Sequence, residues 1–240
     1  MAAVILEALG LARAFGGLRA VDGVDFALRA GEIHALIGPN GAGKTTFVSL
    51  LSGRIAPDAG AIRLDGADIT RLPAHLRVRR GIAYTFQITS IYPQLTVFDN
   101  VALAAQSHGA RDLEAAVAAA LARVGLGHLT GQEAGTLSYG HQRLLELAMG
   151  LALRPRVLIL DEPTQGLAAG EIDAFVDLVR GLVPETTVLM IEHNMEVVMS
   201  LAHCITVLNF GQVLAHGAPA EIRANPLVQA AYLGTDDAAA

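Results

Sequence analysis

The chain has 240 residues, of which 52% are hydrophobic and 17% charged, and its formal net charge is −6. This length is ample to bury a core, and the acidic balance argues against a dedicated nucleic-acid binder, because phosphate contacts need a basic face. No stretch reaches the roughly 18 consecutive apolar residues of a membrane span, and the single cysteine, Cys204, predicts a reducing compartment. We therefore expect a soluble chain that would reach a membrane only through a partner.

The first third of the chain predicts short strands and one helix. Residues 24–28 alternate between apolar and polar side chains, as a half-buried strand does, and residues 61–65 and 81–86 predict two further strands. Residues 33–37 form an apolar run that predicts a buried strand, and residues 45–52 predict the first turns of a helix. A glycine-rich segment joins this buried strand to the helix.

That segment matches the phosphate-loop pattern G-x-x-x-x-G-K-[ST] without a mismatch. Its backbone N–H groups and the helix N-terminus would bind phosphates, Lys44 would reach the β- and γ-phosphates, and the Thr45 hydroxyl would bind Mg²⁺. A mere connecting turn would explain the glycines but not a lysine followed by two threonines. The predicted nucleotide-binding residues of this segment are Gly38, Pro39, Asn40, Gly41, Ala42, Gly43, Lys44, Thr45 and Thr46.

From about residue 95 to residue 153 the pattern becomes helical. Three helices are predicted over residues 96–106, 112–124 and 141–153, separated by loops that contain glycine. Asp112 is the predicted N-cap of the second helix, because its side chain can accept a hydrogen bond from a free N–H of the first turn.

Strands return after this helical part. They are predicted over residues 157–160, 186–191 and 205–208, with helices over residues 169–182 and 194–201 between them. The first two strands are continuous apolar runs, which is typical of central strands in a parallel sheet covered on both faces. The helices complete βαβ crossovers, so the pattern predicts an α/β nucleotide-binding core with a helical insertion rather than two independent domains.

The end of the chain predicts a hairpin over residues 209–214 and then a short helix. Asn225 can cap such a helix, with Pro226 at its first position. Residues 236–240 are expected to be disordered.

Two carboxylates follow the strand at residues 157–160. Asp161 would hold Mg²⁺, through water, because this hard cation prefers oxygen ligands and keeps part of its hydration. Glu162 would orient and polarise the attacking water as the general base. A strand that merely runs into an acidic turn is the alternative, and the phosphate loop in the same chain favours the nucleotide site.

A third motif, Leu-Ser-Tyr-Gly-His-Gln-Arg at residues 137–143, precedes the last helix of the insertion. Ser138 is a predicted N-cap, and Gly140 permits a close approach of the backbone to a phosphate. With these motifs the sequence resembles the ATP-binding subunits of ABC transporters, whose signature is typically Leu-Ser-Gly-Gly-Gln. Tyr139 and His141 depart from that signature. The resemblance implies that Ser138 and Gly140 contact the γ-phosphate of ATP.

The resemblance also implies a fold and its division. It implies an α/β P-loop NTPase core with a mostly parallel sheet, an N-terminal antiparallel β subdomain and a helical insertion, all in one cassette. The core with the β subdomain would occupy residues 1–94 and 154–210, the helical subdomain residues 95–153, and a C-terminal hairpin and helix residues 211–240.

Further site residues are implied by the same resemblance. Phe15 would stack on adenine, with a packed core aromatic as the alternative. Gln87 would sense Mg²⁺ and the attacking water and face the membrane partner, and His193 would contact the γ-phosphate, although a lone histidine is more often structural. Ala168 stands where the family usually has an aspartate in the D-loop. The expected catalytic residues are Lys44, Gln87, Glu162 and His193, and the expected Mg²⁺ ligands are Thr45, Gln87 and Asp161.

Four segments are similar to the branched-chain amino acid importer group. They are Thr-Phe-Gln at residues 85–87, the tyrosine-glycine signature, Ile-Glu-His-Asn-Met at residues 191–195, and the tail at residues 225–234. An ordinary surface helix is the alternative for the tail. This similarity implies uptake of branched-chain or other hydrophobic amino acids, or of related small molecules.

In this family the signature completes the ATP site of a neighbouring subunit. The resemblance therefore implies a head-to-tail dimer, with an identical or homologous second ATP-binding subunit and two ATP molecules at the interface. Membrane permease subunits would dock near Gln87 and the helical insertion, and a periplasmic or extracellular substrate-binding protein would act indirectly. The protein would lie peripherally on the cytoplasmic face of the inner or cell membrane, without nucleic acid.

Other functions remain open at this point. An exporter ATPase and a soluble, non-transport ABC machine share the motifs, although such machines usually carry two nucleotide-binding halves or long coiled-coil inserts. A GTP-binding switch or a small-molecule kinase shares the phosphate loop, but the guanine-reading Asn-Lys-x-Asp is absent here. The transported substrate lies beyond the sequence, since its contacts belong to other subunits.

Overall fold

The computed structural model describes residues 2–85 and 90–233 of the chain. The strands in these ranges are β1 (Val4–Phe15), β2 (Leu18–Arg29), β3 (Ile33–Ile37), β4 (Ala59–Leu64), β5 (Ala67–Asp68), β6 (Ile82–Tyr84), β7 (Val157–Asp161), β8 (Thr187–Ile191), β9 (Cys204–Asn209) and β10 (Gln212–Gly217). The α-helices are α1 (Lys44–Ser52), α2 (Ala74–Arg79), α3 (Val97–Ser107), α4 (Leu113–Arg123), α5 (Tyr139–Ala152), α6 (Ala169–Arg180), α7 (Met195–Leu201), α8 (Pro219–Ala224) and α9 (Pro226–Leu233).

The strands form two sheets. An antiparallel sheet has the order β2-β1-β4-β5, and a larger sheet has the order β10-β9-β3-β8-β7-β6. In the larger sheet every neighbouring pair is parallel except β9 and β10, which form the predicted hairpin. The prediction of a mostly parallel sheet with an N-terminal antiparallel part is confirmed.

The parallel sheet carries a separate layer of apolar side chains on each face. Along β7, Leu158 and Leu160 belong to the layer shared with helices α3 to α9, whereas Val157 and Ile159 belong to the layer shared with α1 and the antiparallel sheet. Successive strand residues point to opposite faces, so a strand buried on both sides must be apolar throughout. Because β3, β8 and β7 are parallel neighbours, their carboxyl ends meet at one edge of the sheet.

The helical insertion contains α3, α4 and α5, which pack against one another. Each begins at a side-chain cap. Asp112 accepts a hydrogen bond from the Ala115 N–H at 3.0 Å, as predicted, and Thr96 does the same for Asp99 at 3.0 Å. Ser138 accepts from the His141 N–H at 3.3 Å, so α5 begins two residues before the predicted start at residue 141.

The structure also differs from the sequence predictions in β1, in α2 and in the C-terminal part. β1 has no counterpart among the predicted strands, because irregularities in its pairing with β2 break the alternation of its side chains. α2 is also unpredicted; its Arg77 is buried and donates hydrogen bonds to the Leu50 and Leu51 carbonyls at 2.7 and 2.8 Å, a long-range interaction. The C-terminal part has two short helices, α8 and α9, instead of one.

The predicted cap of the last helix is present, since Asn225 Oδ1 accepts from the Leu227 N–H at 2.9 Å. Phe86, at the end of one predicted strand, and residues 236–240 lie outside the described residues. Among the helices that the structure describes, none combines the length and the apolar character needed to cross a membrane.

Candidate functional site

The phosphate-loop segment joins the carboxyl end of β3 to the start of α1, as predicted. Two of its glycines are required by the fold. Gly38 has φ 149°, and a Cβ there would lie 2.1 Å from the Leu208 carbonyl oxygen. Gly43 has φ 97°, and a Cβ there would lie 2.1 Å from the Ala20 carbonyl oxygen. Side chains are excluded at both positions, so the backbone of the loop can pack closely against β9 and β2.

Lys44 is almost fully buried and is held by its own loop. Its Nζ donates to the carbonyl oxygens of Gly38 at 2.6 Å and Pro39 at 3.0 Å. Burial lowers the pKa of Lys44, and the charges of Glu162 and Asp161 act in the opposite direction. An ammonium held by carbonyl acceptors can exchange them for a phosphate oxygen, a stronger acceptor.

Asp161 is the last residue of β7 and is buried. The Tyr84 hydroxyl donates a hydrogen bond to its Oδ2. Burial raises the pKa of Asp161 and Glu162 adds to this, while Tyr84, Arg54 and Lys44 favour the charged form. Burial and the hydrogen bond to Asp161 also raise the pKa of Tyr84, so the phenol stays a donor. The Arg54 guanidinium lies 5.0 Å from the centre of the Tyr84 ring. A divalent cation beside Asp161 would favour its carboxylate form, because an opposite charge nearby stabilises the ionised group.

Glu162 and His193 meet at the edge of the sheet. Asp161 of β7 pairs with Ile191 of β8, and the Glu162 N–H continues this ladder by donating to the Ile191 carbonyl at 2.9 Å. Glu162 Oε1 then lies 3.1 Å from His193 Nε2. Glu162 has φ 48°, an uncommon conformation for a residue other than glycine and one that occurs often at functional sites.

Glu192 fixes the two loops that carry these residues. It is buried, and its Oε2 accepts from the N–H groups of His193 at 2.7 Å and Asn194 at 3.0 Å. Its Oε1 accepts from the Thr164 N–H at 3.1 Å and from the Thr164 hydroxyl. One carboxylate thus joins the loop after β8 to the loop after β7. The sequence did not indicate this function of Glu192, because no motif distinguishes it from the adjacent His193.

Two clefts adjoin these residues. One, of about 450 Å³, is lined by Glu162, His193, Thr164 and their neighbours, and the other, of about 590 Å³, is lined by the phosphate loop, Phe15, Phe210, Glu162 and His193. Phe15 is 47% exposed, with the Arg13 guanidinium 4.8 Å from its ring centre, so it is not a packed core aromatic. Phe210, which the motifs did not indicate, is 85% exposed. Two exposed rings therefore border the cleft that contains the phosphate loop, where an adenine could stack.

The signature segment, residues 137–143, contacts the loop after β7. The Arg143 guanidinium donates to the Glu162 carbonyl at 3.3 Å and to the Glu146 carboxylate at 3.1 Å. The Tyr139 ring lies against Gly166, where an added Cβ would be 2.9 Å from Tyr139 Cε1.

Gly140 is buried, and a Cβ there would lie 2.2 Å from Glu171 Oε1. The other oxygen of Glu171 accepts from the Ala168 N–H at 2.9 Å, which fixes the start of α6 where the family usually has an aspartate. Ser138 and Gly140 line neither of the two clefts. The structure thus brings Lys44, Asp161, Glu162 and His193 to one edge and leaves the signature segment outside it. Gln87 lies outside the described residues.

The chain is similar to known proteins over almost its whole length. A family model described as ABC transporter matches residues 21–165, and one described as branched-chain amino acid ATP-binding cassette transporter matches residues 212–238. The chain is 41% identical to the high-affinity branched-chain amino acid transport ATP-binding protein BraF of Pseudomonas aeruginosa, over 98% of this chain and 99% of BraF. It is 36% identical to the lipopolysaccharide export system ATP-binding protein LptB of Escherichia coli, over 96% of this chain and 98% of LptB.

A solved structure has the same fold over almost the whole chain. This is the ADP conformation of an ATP-binding cassette of an ABC transporter, with a TM-score of 0.88 and 27% sequence identity. The match covers 97% of this chain and 99% of that one.

Proposed function

The chain belongs to the ABC transporter family of ATP-binding cassettes, and we propose that it is the ATP-hydrolysing subunit of an importer of branched-chain or related hydrophobic amino acids. The observation that carries the ATPase part is the convergence of Lys44, Glu162 and His193 beside the phosphate loop. The likeness to BraF and the match of residues 212–238 to the branched-chain amino acid model support the substrate class.

The phosphate loop would hold the ATP phosphates. The N–H groups at the start of α1 are suited to an anion, and Lys44 would exchange its carbonyl acceptors for β- and γ-phosphate oxygens. Gly38 to Thr46 would bind the nucleotide in this way, with Phe15 stacking on adenine, and Phe210 borders the same cleft. Two rings beside one base would orient it without selecting strongly among bases.

The residues at this edge fit Mg²⁺. The Thr45 hydroxyl and the Asp161 carboxylate are oxygen ligands of the kind that Mg²⁺ prefers, and Lys44, adjacent to Thr45, feels the charge of both Asp161 and Glu162. Gln87 is the third proposed ligand. When bound, Mg²⁺ would neutralise negative charge on the phosphate oxygens.

Glu162 would accept the proton of the attacking water. His193, 3.1 Å from its Oε1, would orient the carboxylate and contact the γ-phosphate. Glu192 supports this geometry, because its buried carboxylate holds the backbone on either side of the cleft. Gln87 would complete the catalytic set together with Lys44.

The working unit would be a head-to-tail dimer. Ser138 and Gly140 line neither cleft in this chain, which supports their use at the γ-phosphate of a second ATP-binding subunit. ATP would then stabilise the closed dimer, and hydrolysis would release it. The permease subunits would dock near Gln87 and the helical subdomain at residues 95–153, on the cytoplasmic face of the membrane, and the substrate-binding protein would act on its other side.

We also propose the division of the cassette given by its motifs. The nucleotide-binding core with its β subdomain would comprise residues 1–94 and 154–210, and the C-terminal hairpin and helices residues 211–240. Mutual packing of α3, α4 and α5 supports a helical subdomain between the two parts of the core.

An exporter ATPase is the second candidate, because LptB is 36% identical over most of its length. The match of residues 212–238 favours the importer, because the description of the matching family model names branched-chain amino acids.

Uptake by intact cells tests the proposed substrate class. Deleting the gene should abolish high-affinity uptake of radiolabelled leucine and leave proline uptake unchanged. The wild-type gene should restore uptake, and Glu162→Gln should not. Unchanged leucine uptake in the deletion strain would refute amino acid import, and accumulation of lipopolysaccharide precursors in that strain would favour the exporter.

A further inference from the structure

A cluster of polar side chains lies on one face of the parallel sheet, on strands β3, β9 and β10. His34 is paired with Cys204 across β3 and β9, and Thr206 is paired with His216 across β9 and β10. Cys204 and Thr206 are two residues apart on one strand, so they point to the same face. The sheet register therefore brings together four side chains that are up to 182 residues apart in the sequence.

Hydrogen bonds connect the cluster. His34 is fully buried; its Nε2 lies 2.8 Å from Thr206 Oγ1, and its Nδ1 lies 3.2 Å from Glu32 Oε1. His216 Nδ1 lies 3.0 Å from the same Thr206 oxygen. The Cys204 Sγ lies 3.5 Å from His216 Nε2, and the two imidazole rings stack with centres 5.6 Å apart.

We propose that His34, Cys204 and His216 form a binding site for a borderline-soft divalent metal ion such as Zn²⁺. Each of the three offers one ligand atom, and these atoms all lie within 4.8 Å of one another. Imidazole nitrogen and thiolate sulfur are the ligands that Zn²⁺ prefers, and bonds of about 2.0–2.3 Å require ligand atoms roughly 3.5 Å apart. Rotation of the Cys204 and His216 side chains, which are not fully buried, would have to close that difference.

The surroundings suit three protein ligands and one open position. His216 is exposed and Cys204 is partly exposed, which gives an ion and a water molecule access, while His34 is fixed from behind by Glu32. A carboxylate on the second nitrogen of a ligand imidazole orients the ring and makes it a better donor to the metal.

Metal binding at this cluster has to be coupled to proton release. Zn²⁺ binds the thiolate form of cysteine and the neutral form of histidine, so the Cys204 thiol proton has to leave when the ion binds. Without a metal the same groups form a hydrogen-bonded chain through Thr206, which ties β3 to β10.

The site is separate from the ATP chemistry. His34 is the second residue of β3, whereas the phosphate loop follows the last residue of that strand. Metal binding would join β3, β9 and β10, and because an ion bound only by the folded chain stabilises it, the melting temperature should rise.

Cobalt titration of the full chain, first treated with a chelator, tests the proposal. Cys204 is the only cysteine, so a thiolate-to-Co²⁺ charge-transfer band in the near ultraviolet can arise from it alone. We expect this band to saturate at one Co²⁺ per chain, to disappear on addition of Zn²⁺, and to be absent in Cys204→Ser. His216→Ala should weaken binding at least about tenfold, and Zn²⁺ should raise the melting temperature of the wild type but not of Cys204→Ser.

His128→Ala is the matched control, because it removes an exposed histidine on another part of the surface. It should bind Co²⁺ as the wild type does. Co²⁺ binding without the charge-transfer band would overturn the site. Co²⁺ binding by Cys204→Ser and His216→Ala with the affinity of the wild type would do so as well. The metal-free protein should still hydrolyse ATP, so failure of this site leaves the proposed function untouched.

Discussion

The edge of the parallel sheet beside the phosphate loop differs from the signature segment in where its polar groups point. At the edge, Lys44, Glu162 and His193 all border one cleft, and the contacts that hold them come from within the chain. In the signature segment, Ser138 caps its own helix and Gly140 lies against Glu171. Both segments contain glycine and a helix N-terminus, yet only the first lines the two clefts beside Glu162 and His193.

Under the proposed function, one chain would hold most of the hydrolytic groups and still depend on a neighbouring subunit. The signature segment is nevertheless connected to the edge, because Arg143 donates to the Glu162 carbonyl and Tyr139 packs against Gly166. A partner that displaces the signature segment would therefore act on the backbone of the proposed general base. The following variants test each side of this comparison.

The largest effect is expected for Glu162→Gln. The amide keeps the size of the carboxylate but cannot accept the proton of the attacking water, so ATP turnover should fall by about 10²–10⁴-fold. The ATP dissociation constant should stay close to that of the wild type, because the phosphate loop is unchanged. Steady-state hydrolysis and equilibrium binding measure the two quantities.

Glu185→Gln is the matched control, since that side chain is 79% exposed and forms a surface ion pair with Arg123 at 3.6 Å. It should hydrolyse ATP normally. Turnover at the wild-type rate in Glu162→Gln would show that another group is the general base.

The next effect is expected for Lys44→Ala. Removing a buried ammonium that can bind phosphate oxygens costs about 1.5–3 kcal/mol, so ATP affinity should fall roughly ten- to a hundredfold. Arg111→Ala removes the same charge from an exposed position and should bind ATP normally. An unchanged dissociation constant in Lys44→Ala would contradict the assignment of the loop.

Chemical labelling gives a second measurement, because Lys44 is the only lysine of the chain. An amine-reactive reagent can modify only Lys44 and the N-terminal amine, and ATP should protect Lys44 alone. Equal protection of both amines would show that ATP acts away from the loop.

Contacts between residues close in the sequence can be predicted from local patterns, whereas contacts between residues far apart in the sequence cannot. The phosphate loop, the Asp161-Glu162 strand end and the caps at Asp112 and Ser138 depend on neighbouring residues, so local patterns predicted them. The contact of Tyr84 with Asp161 spans 77 residues and depends on the pairing of β6 with β7. No local pattern contains that pairing.

The same reasoning applies to the buried polar groups. Glu192 was visible in the sequence only as the neighbour of His193, and its hydrogen bonds to Thr164 exist because β7 and β8 are adjacent. The cluster of His34, Cys204 and His216 is a stronger case, because no spacing links residues that only the register of three strands brings together. Local patterns therefore predicted the positions of the loop, the strand end and the caps, but not the long-range hydrogen bonds and strand pairings around them.

The smallest effect is expected for Gly140→Ala, which tests why this glycine is needed. Its new Cβ would meet Glu171 Oε1, an oxygen on an exposed and flexible side chain that can turn away at the cost of one cap hydrogen bond, about 1 kcal/mol. The melting temperature should fall by only a few degrees. ATP turnover should fall about tenfold, because a methyl group would hold the γ-phosphate of the ATP bound to the neighbouring subunit away from the backbone of Gly140.

The double variant Gly140→Ala, Glu171→Ala separates these two effects. Glu171→Ala relieves the contact within the chain, so the double variant should regain the melting temperature but not the ATP turnover. Recovery of turnover in the double variant, with Glu171→Ala alone as its reference, would show that Gly140 serves packing within this chain and not the partner's ATP.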